Sequence, residues 1–544
     1  MKISSVSLMM LCASTAAVKP KMRGLRSSNR RAQEDVVNSI HANVDSLWEA
    51  EGLPGLTEAI AIDSQSPNFN PDWAETGELH AILDFYLQHA TEKLGSRTNV
   101  SHKVYGGANA TFPTPPLLTI TVEGSRHGQE GAPEVLLYTH ADTQPHNGAD
   151  WTHGDPLVAT RVNASGDLLY GRGTTDDKYA FFSAVIMFQT LMEQGLPYPT
   201  VHIVVETEEE SGSPHLEPHL DELVHDIGSP DVVYVLDSGG PDQSHMWNTR
   251  SLRGLISGVL RVELLESSVH SGTAGGIVPS VFRLMNNIIS DRIEERNGDI
   301  IAAPLVHNTS DIDKAAALSL AEVMGDTVFS TMPWLEGTSP MPDGSTPTTQ
   351  DIADMLVRNS YQPALAIIGW DHAVMPALDK GGNVVQPYIE AKLSIRCSPY
   401  TDVFSAAEEL KRLIEAPPHA HGANVTFTIG GTSPGFAADP LPAWYQNIVN
   451  EAAVPIFGAE MLDVGKGGTI GFLATIQKKL EGSIIHNTGL FAPSSKGHAP
   501  DESLDIEAVK KFTSVMTYTL QSLMTADRTV EEEPTTVGRA GDGA

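Results

Sequence analysis

The sequence predicts an α/β domain, a central sheet flanked by helices, interrupted by an inserted α+β domain. Three observations lead there. Between residues 117 and 236, short β-branched runs alternate with helical stretches. After Arg253 the order becomes strand–helix–strand–helix–strand. Beyond residue 440 helical patterns of the first kind return. Alternating strands and helices bury a mostly parallel sheet between helical layers.

Each element has its own reason. Lys2, a mostly apolar stretch over 6–18 and the small residues Thr15, Ala16 and Ala17 read as a signal peptide over residues 1–17. That stretch is too short to span a bilayer, and no other is long and apolar enough. Residues 18–34 carry Arg23, Arg26 and the pair Arg30-Arg31, a basic pro-segment or flexible linker. Residues 35–95 read as helical, broken by a Ser/Pro/Asn loop at 64–71. Strands are expected at 117–122, 135–139, 201–205 and 232–236, and a helix at 179–193 with Gly195 after it. The insertion covers residues 251–432. It holds strand 255–265, helix 279–293, a loop-rich stretch 298–344, strand 388–397, helix 406–416 and strand 425–430. The first domain (35–250) resumes over 433–525 with a helix at 444–453, a strand-like 469–474 and a last helix at 506–524. A disordered acidic tail is expected over 526–544.

Composition narrows the function. Of 544 residues, 68 are Asp or Glu and 35 are Lys or Arg, a net charge of −33. So acidic a surface repels nucleic acid and anionic membranes. The only cysteines are Cys12, in the signal segment, and Cys397. The mature chain then has no internal disulfide, and any metal site must use histidines and carboxylates. Five Asn-x-Ser/Thr sequons, at Asn99, Asn109, Asn163, Asn308 and Asn424, fit a secretory route.

Five short pieces carry chemistry. The 135–139 strand ends in His140-Ala-Asp142, where alternate residues point the same way. Tyr170-Gly-Arg-Gly-Thr-Thr-Asp176-Asp177-Lys178 allows a tight turn, with Thr175 as a helix cap and Asp176 aimed out of the loop. The 201–205 strand runs into Glu208-Glu209-Glu210; three adjacent acids there suit one metal ligand and one general base. The 232–236 strand ends in Asp237, and Gly497-His498-Ala-Pro-Asp-Glu502 precedes the last helix. Each alone has a bland reading as a cap or a solvated loop. Together they bring a histidine or carboxylate from three strand ends and two loops to one sheet edge, where open α/β sheets bind ligands.

These motifs, in this order, with Leu137-Tyr-Thr-His140-Ala-Asp142-Thr-Gln-Pro, Trp151, Asp155-Pro-Leu157 and Glu209-Glu-Ser-Gly-Ser213, resemble the carnosinase and cytosolic nonspecific dipeptidase branch of the family that includes aminoacylase, carboxypeptidase G and acetylornithine deacetylase. The resemblance implies a zinc-peptidase-like catalytic domain and an inserted lid or dimerisation domain. It implies two divalent metal ions per chain, one on His140 and one on His498. Asp176 would be shared, with Glu210 and Asp237 completing the two sets. The mixed nitrogen and oxygen donors suit zinc, with manganese as the alternative. Asp142 would orient His140, and Glu209 would be the general base.

In the insertion, Val269-His270-Ser-Gly resembles a loop that reaches the partner subunit's site in a homodimer. Leu393-Ser-Ile-Arg396 resembles the segment that grips the substrate carboxylate, and Gly467-Gly468-Thr469 a loop that receives the substrate terminus. The implied activity is hydrolysis of dipeptides or of C-terminal residues. N-acyl-amino-acid deacylation by the same site, or an inactive secreted binding protein, are the rival readings. Thr139 and Tyr179 stand where the family usually has glycine, and Lys466 where it is commonly acidic.

Overall fold

The computed structural model describes residues 19–107, 113–146, 148–163, 167–330, 332–371, 373–526 and 528, with residues 19–30 described by their backbone. The expected signal segment and almost all of the acidic tail lie outside these residues, as does Asn109. The other sequon asparagines, Asn99, Asn163, Asn308 and Asn424, are exposed.

The chain opens with helices α1 (Lys19–Leu47), α2 (Leu53–Ile60) and α3 (Glu78–Leu94). The basic residues 19–34 form the first part of α1. Next come strands β1 (Val100–Gly107), β2 (Thr114–Val122) and β3 (Glu134–His140), helix α4 (Lys178–Glu193), strand β4 (Thr200–Glu206), helix α5 (Leu216–Ile227), and strands β5 (Val232–Val235) and β6 (Trp247–Leu252). The following stretch holds β7 (Gly254–Glu263), α6 (Val281–Arg292), α7 (Asp311–Met324), α8 (Thr349–Ser360), β8 (Ala364–Trp370), β9 (Tyr388–Cys397), α9 (Val403–Glu415) and β10 (Asn424–Ser433). The chain ends with α10 (Ala443–Phe457), β11 (Leu462–Lys466), α11 (Phe472–Lys479), β12 (Ile484–Asn487) and α12 (Ile506–Leu523).

The six-stranded sheet runs β1-β2-β4-β3-β5-β12, with β4, β3, β5 and β12 parallel and the β1–β2 hairpin antiparallel at one edge. Alternate residues face opposite sides of a strand, and both sides are covered. Leu137, Val201, Ile203 and Val205 pack with α1, α3, α4, α10 and α12. Leu136, Tyr138, Val204, Val233 and Val235 pack with α5 and α11. Two covered faces explain why these strands read as unbroken apolar runs. The α4 helix is buried from Lys178 to Leu191, and Phe181 stacks on Tyr86 with ring centroids 3.9 Å apart.

The second sheet, β8-β9-β7-β10, is antiparallel and lies within residues 254–433. Burial alternates strictly along β7, because α6 and α9 cover only the face carrying Ile256, Leu260 and Val262. Cys397 is free and buried on β9. Among the described residues, no helix is long and apolar enough to cross a membrane.

Two expectations are corrected. Residues 469–474 are a turn leading into α11, and the strand lies earlier, at β11. Phe472, Leu473 and Ile476 are spaced for one helical face, which a six-residue window cannot distinguish from a strand. The stretch 298–344 contains α7, whose Ser310 cap accepts from the Asp313 N–H. Leu320 and Met324 of α7 pack on Trp247 and Val464 of the sheet formed by β6 and β11.

Candidate metal centre

Parallel register brings the first ligands level. Tyr138 pairs with Val235, so His140 and Asp237 each lie two residues beyond a matched position. His140 pairs with Glu206, which puts the following Glu209–Ser211 turn at the same edge.

His140 is fully buried. Its Nδ1 faces the Asp142 carbonyl at 3.0 Å and the Asp142 carboxylate at 3.4 Å. That leaves Nε2 pointing at Asp176 Oδ1 (3.2 Å) and Asp237 Oδ1 (3.7 Å). His498 Nε2 lies 2.9 Å from Asp176 Oδ2 and 3.2 Å from Glu210 Oε2. Two three-residue clusters result, His140/Asp176/Asp237 and Asp176/Glu210/His498, each compact enough for one metal ion. Asp176 belongs to both, with one oxygen for each. The His498 side chain is 53% exposed, so solvent reaches the centre from its side. The left-handed backbone of His498, φ 65°, is uncommon for a non-glycine residue.

Each residue of Asp176-Asp177-Lys178 has a separate task. Asp176 faces the clusters. Asp177 Oδ2 accepts from Thr139 Oγ1 at 2.7 Å, tying the loop beneath β3. Lys178 Nζ donates to the Ala59 and Ile62 carbonyls at 2.9 and 3.0 Å. The expected cap, Thr175, is not the helix cap; that position is Asp177, and its side chain makes no capping bond. The Thr175 N–H instead donates to Glu502 Oε1 at 2.9 Å, as does the Asp176 N–H at 3.2 Å. The other oxygen of Glu502 accepts from Arg172 Nη1 (2.7 Å) and the Gly173 N–H (3.1 Å). Glu502 is thus a buried clamp on the loop that carries Asp176. Glu502 ends the His498 motif, where sequence alone does not mark it as a clamp.

Asp142 does the same for the acidic turn. Its two oxygens accept from the Glu209 N–H at 3.2 Å and the Glu210 N–H at 3.0 Å. Glu208 is drawn aside by His215 at 2.7 Å. Glu209 touches neither histidine.

The electrostatics call for cations. Burial and then the nearby Asp237 hold the Glu209 carboxyl well above the usual range. Burial and Asp176 push Glu210 up to about 7, and burial raises Asp237. Burial would raise Asp176 too, but His140 and His498 hold it down. Hydrogen bonds to Asp176 and Glu210 push His498 up to about 11. Four buried or half-buried carboxylates against two imidazoles are costly without further positive charge. The donor set, one histidine and two carboxylates per cluster, fits a divalent ion in each.

The other expected residues lie apart from the clusters. His270 is exposed on a two-residue strand paired with Val384–Val385, and its Nδ1 accepts from the Gly272 N–H at 3.1 Å. Arg396 Nη1 donates to Thr469 Oγ1 at 2.6 Å, and Thr469 Oγ1 donates to the Arg253 carbonyl at 2.6 Å. A side chain at Gly468 would meet open space.

Residues 136–522 match Peptidase family M20/M25/M40. A cysteinylglycine-S-conjugate dipeptidase of Corynebacterium striatum is 27% identical over 390 residues, 71% of this chain and 80% of that protein. The Cys-Gly metallodipeptidase dug1 of Schizosaccharomyces pombe is 23% identical over 482 residues, 86% of this chain and 95% of that protein. A Beta-Ala-His dipeptidase of Mus musculus is 33% identical over 237 residues, 43% of this chain and 46% of that protein. Among solved structures, human carnosine dipeptidase 1 superposes with a TM-score of 0.63 at 20% identity, covering 90% of this chain and 99% of that one. This last likeness speaks to the fold.

The Glu502 clamp yields a prediction. Glu502→Gln keeps the shape but removes the charge that orders the Asp176 loop. Metal affinity should fall about 10–100-fold, as for other supports of metal ligands, with the circular dichroism spectrum unchanged. A chelator-competition titration measures it; undiminished affinity would show that Glu502 does not position Asp176.

Proposed function

We propose that this chain, which belongs to peptidase family M20/M25/M40, hydrolyses the amide bond of dipeptides at a two-metal centre. The observation that carries this reading is the Asp176 carboxylate, with one oxygen 3.2 Å from His140 Nε2 and the other 2.9 Å from His498 Nε2. The dipeptidases similar to this chain support the substrate class.

His140, Asp176 and Asp237 would hold one ion, and His498, Asp176 and Glu210 the other. Zinc suits the mixed donors, with manganese as the alternative. Such ions supply an acidified water and a polarised carbonyl. The remaining work falls to side chains. Glu209 sits beside both clusters without pairing to either histidine; the cations those clusters call for would offset the burial that favours its neutral form, leaving a carboxylate to take a proton from water and return it to the leaving amine. Asp142 holds the Glu209 and Glu210 amides and faces the back of His140. Arg396 and Thr469 would grip the substrate carboxylate, with room at Gly468 for the chain terminus.

The test is hydrolysis of a dipeptide panel by zinc-loaded protein. Glu209→Gln should bind metal normally and lose about 10²–10⁴-fold in kcat, the usual worth of a general base. A variant that stays active would refute the role of Glu209.

A homodimer completes the proposal. His270 is exposed and lies outside both clusters, which suits a group serving the partner's site by stabilising the oxyanion. Glu209→Ala and His270→Ala chains, each inactive, are mixed and allowed to exchange. In mixed dimers the His270→Ala chain keeps its own Glu209 and receives His270 from the other chain, so activity should return. Continued inactivity in mixed dimers, whose formation is verified by native mass spectrometry, would place His270 in its own chain's chemistry or in none.

A further inference from the structure

In a chain with a net charge of −33, a lysine stands beside the metal centre and two arginines lie against the loop that follows it. Lys466 ends β11, half-buried, with Nζ 3.5 Å from Ser238 Oγ. Ser238 directly follows Asp237. The same ammonium stands 5.7 Å from the centroid of the Phe491 ring, and that ring meets His498 edge-on at 6.3 Å. Lys466 therefore borders both clusters. Asp237 and Asp176 act on it at longer range, and among the described residues no carboxylate forms an ion pair with it.

Two arginines flank the loop that follows. Arg253 Nε donates to the Gly467 carbonyl at 3.1 Å and its Nη1 to the Gln362 carbonyl at 3.2 Å. Arg396 spends one donor on Thr469. Neither is ion-paired among the described residues, and Arg396 is close enough for its charge to act on Arg253. Unpaired, partly desolvated cations are costly to assemble unless an anion completes them. One carboxylate on Arg396 and Thr469 leaves Lys466 over. Because Lys466 borders the metal ligands, the group it meets belongs to the residue whose carbonyl is cleaved.

We infer that the site is built for dipeptides with two carboxylates, in which an acidic first residue places its side-chain carboxylate on Lys466, the specificity-determining residue. This rests on the dipeptidase reading above. A neutral first residue presents only its cationic amine to Lys466, whereas an acidic one offers a charge-assisted hydrogen bond.

The test compares Glu-Ala, Ala-Ala, Lys-Ala and N-acetylalanine with zinc-loaded full-length protein. Wild type should favour Glu-Ala over Ala-Ala by about tenfold or more in kcat/KM, the scale of one charged hydrogen bond. Lys466→Arg should keep that preference, Lys466→Met should abolish it, and Lys466→Glu should turn it toward Lys-Ala. No preference in wild type, or the same preference in Lys466→Met, overturns the inference. So does a gain for N-acetylalanine equal to that for Glu-Ala, which would mean that Lys466 only rejects an amine. Calorimetric binding of Glu-Ala and Ala-Ala to Glu209→Gln protein reads the preference without turnover. Absence of turnover with every dipeptide would sink the hydrolase reading while the binding ratio still decides the role of Lys466.

Discussion

The Asp176 carboxylate must serve two imidazoles at once, and much of the surrounding architecture answers that demand. Its two oxygens lie against His140 and His498, which come from positions 358 residues apart in the chain. A carboxylate can span two centres only if its backbone is fixed, and Glu502 fixes it by accepting from the Thr175 and Asp176 amides. Asp177 and Lys178 anchor the same turn to β3 and to the end of α2 and the residues just after it. Hydrogen bonds to a charged group contribute about 1.5–3 kcal/mol each, enough for a few of them to hold a loop in one geometry.

The sheet supplies the other half of the constraint. Parallel β3, β4 and β5 end at one edge, so a histidine, an acidic turn and an aspartate arrive together without long loops. Both faces of the sheet are packed with apolar side chains. The strands therefore have little freedom to slip, since a one-residue shift would turn every side chain to the wrong face. Asp142 then links the strand end to the acidic turn through two backbone amides, so the positions of His140, Glu209 and Glu210 are set jointly. Lys466, with its ammonium near Ser238 and the Phe491 ring, brings positive charge to the border of an otherwise acidic centre.

Much of this was legible in the sequence, for reasons that differ between elements. The parallel strands announce themselves as apolar runs because they are buried on both faces, and the ligands stand out as polar residues directly after them. His140, Asp176, Glu210, Asp237 and His498, each at a strand end or in a loop that the sequence singles out, lie in two clusters. The role of Glu502 was not legible, because three of its partners are backbone amides, which leave no mark in sequence, and the fourth, Arg172, lies 330 residues away. Helix α7 was hidden by a setting rich in loop residues, although its Ser310 cap was there to be read. Residues 469–474 misled because a short apolar run fits either period, and burial of Phe472, Leu473 and Ile476 against the sheet decided for helix. Lys466 was visible as an odd residue, but its closeness to Ser238 and Phe491 needed the fold.

The central claim is that one shared carboxylate couples two metal sites. It is tested most directly by counting ions per chain by inductively coupled plasma mass spectrometry after equilibration with zinc and gel filtration. Wild-type protein should carry two ions, and Asp176→Ala, with its fold verified by circular dichroism, should lose both together. A wild-type count of one, or an Asp176→Ala protein that keeps one ion at wild-type affinity, would contradict the shared-ligand account.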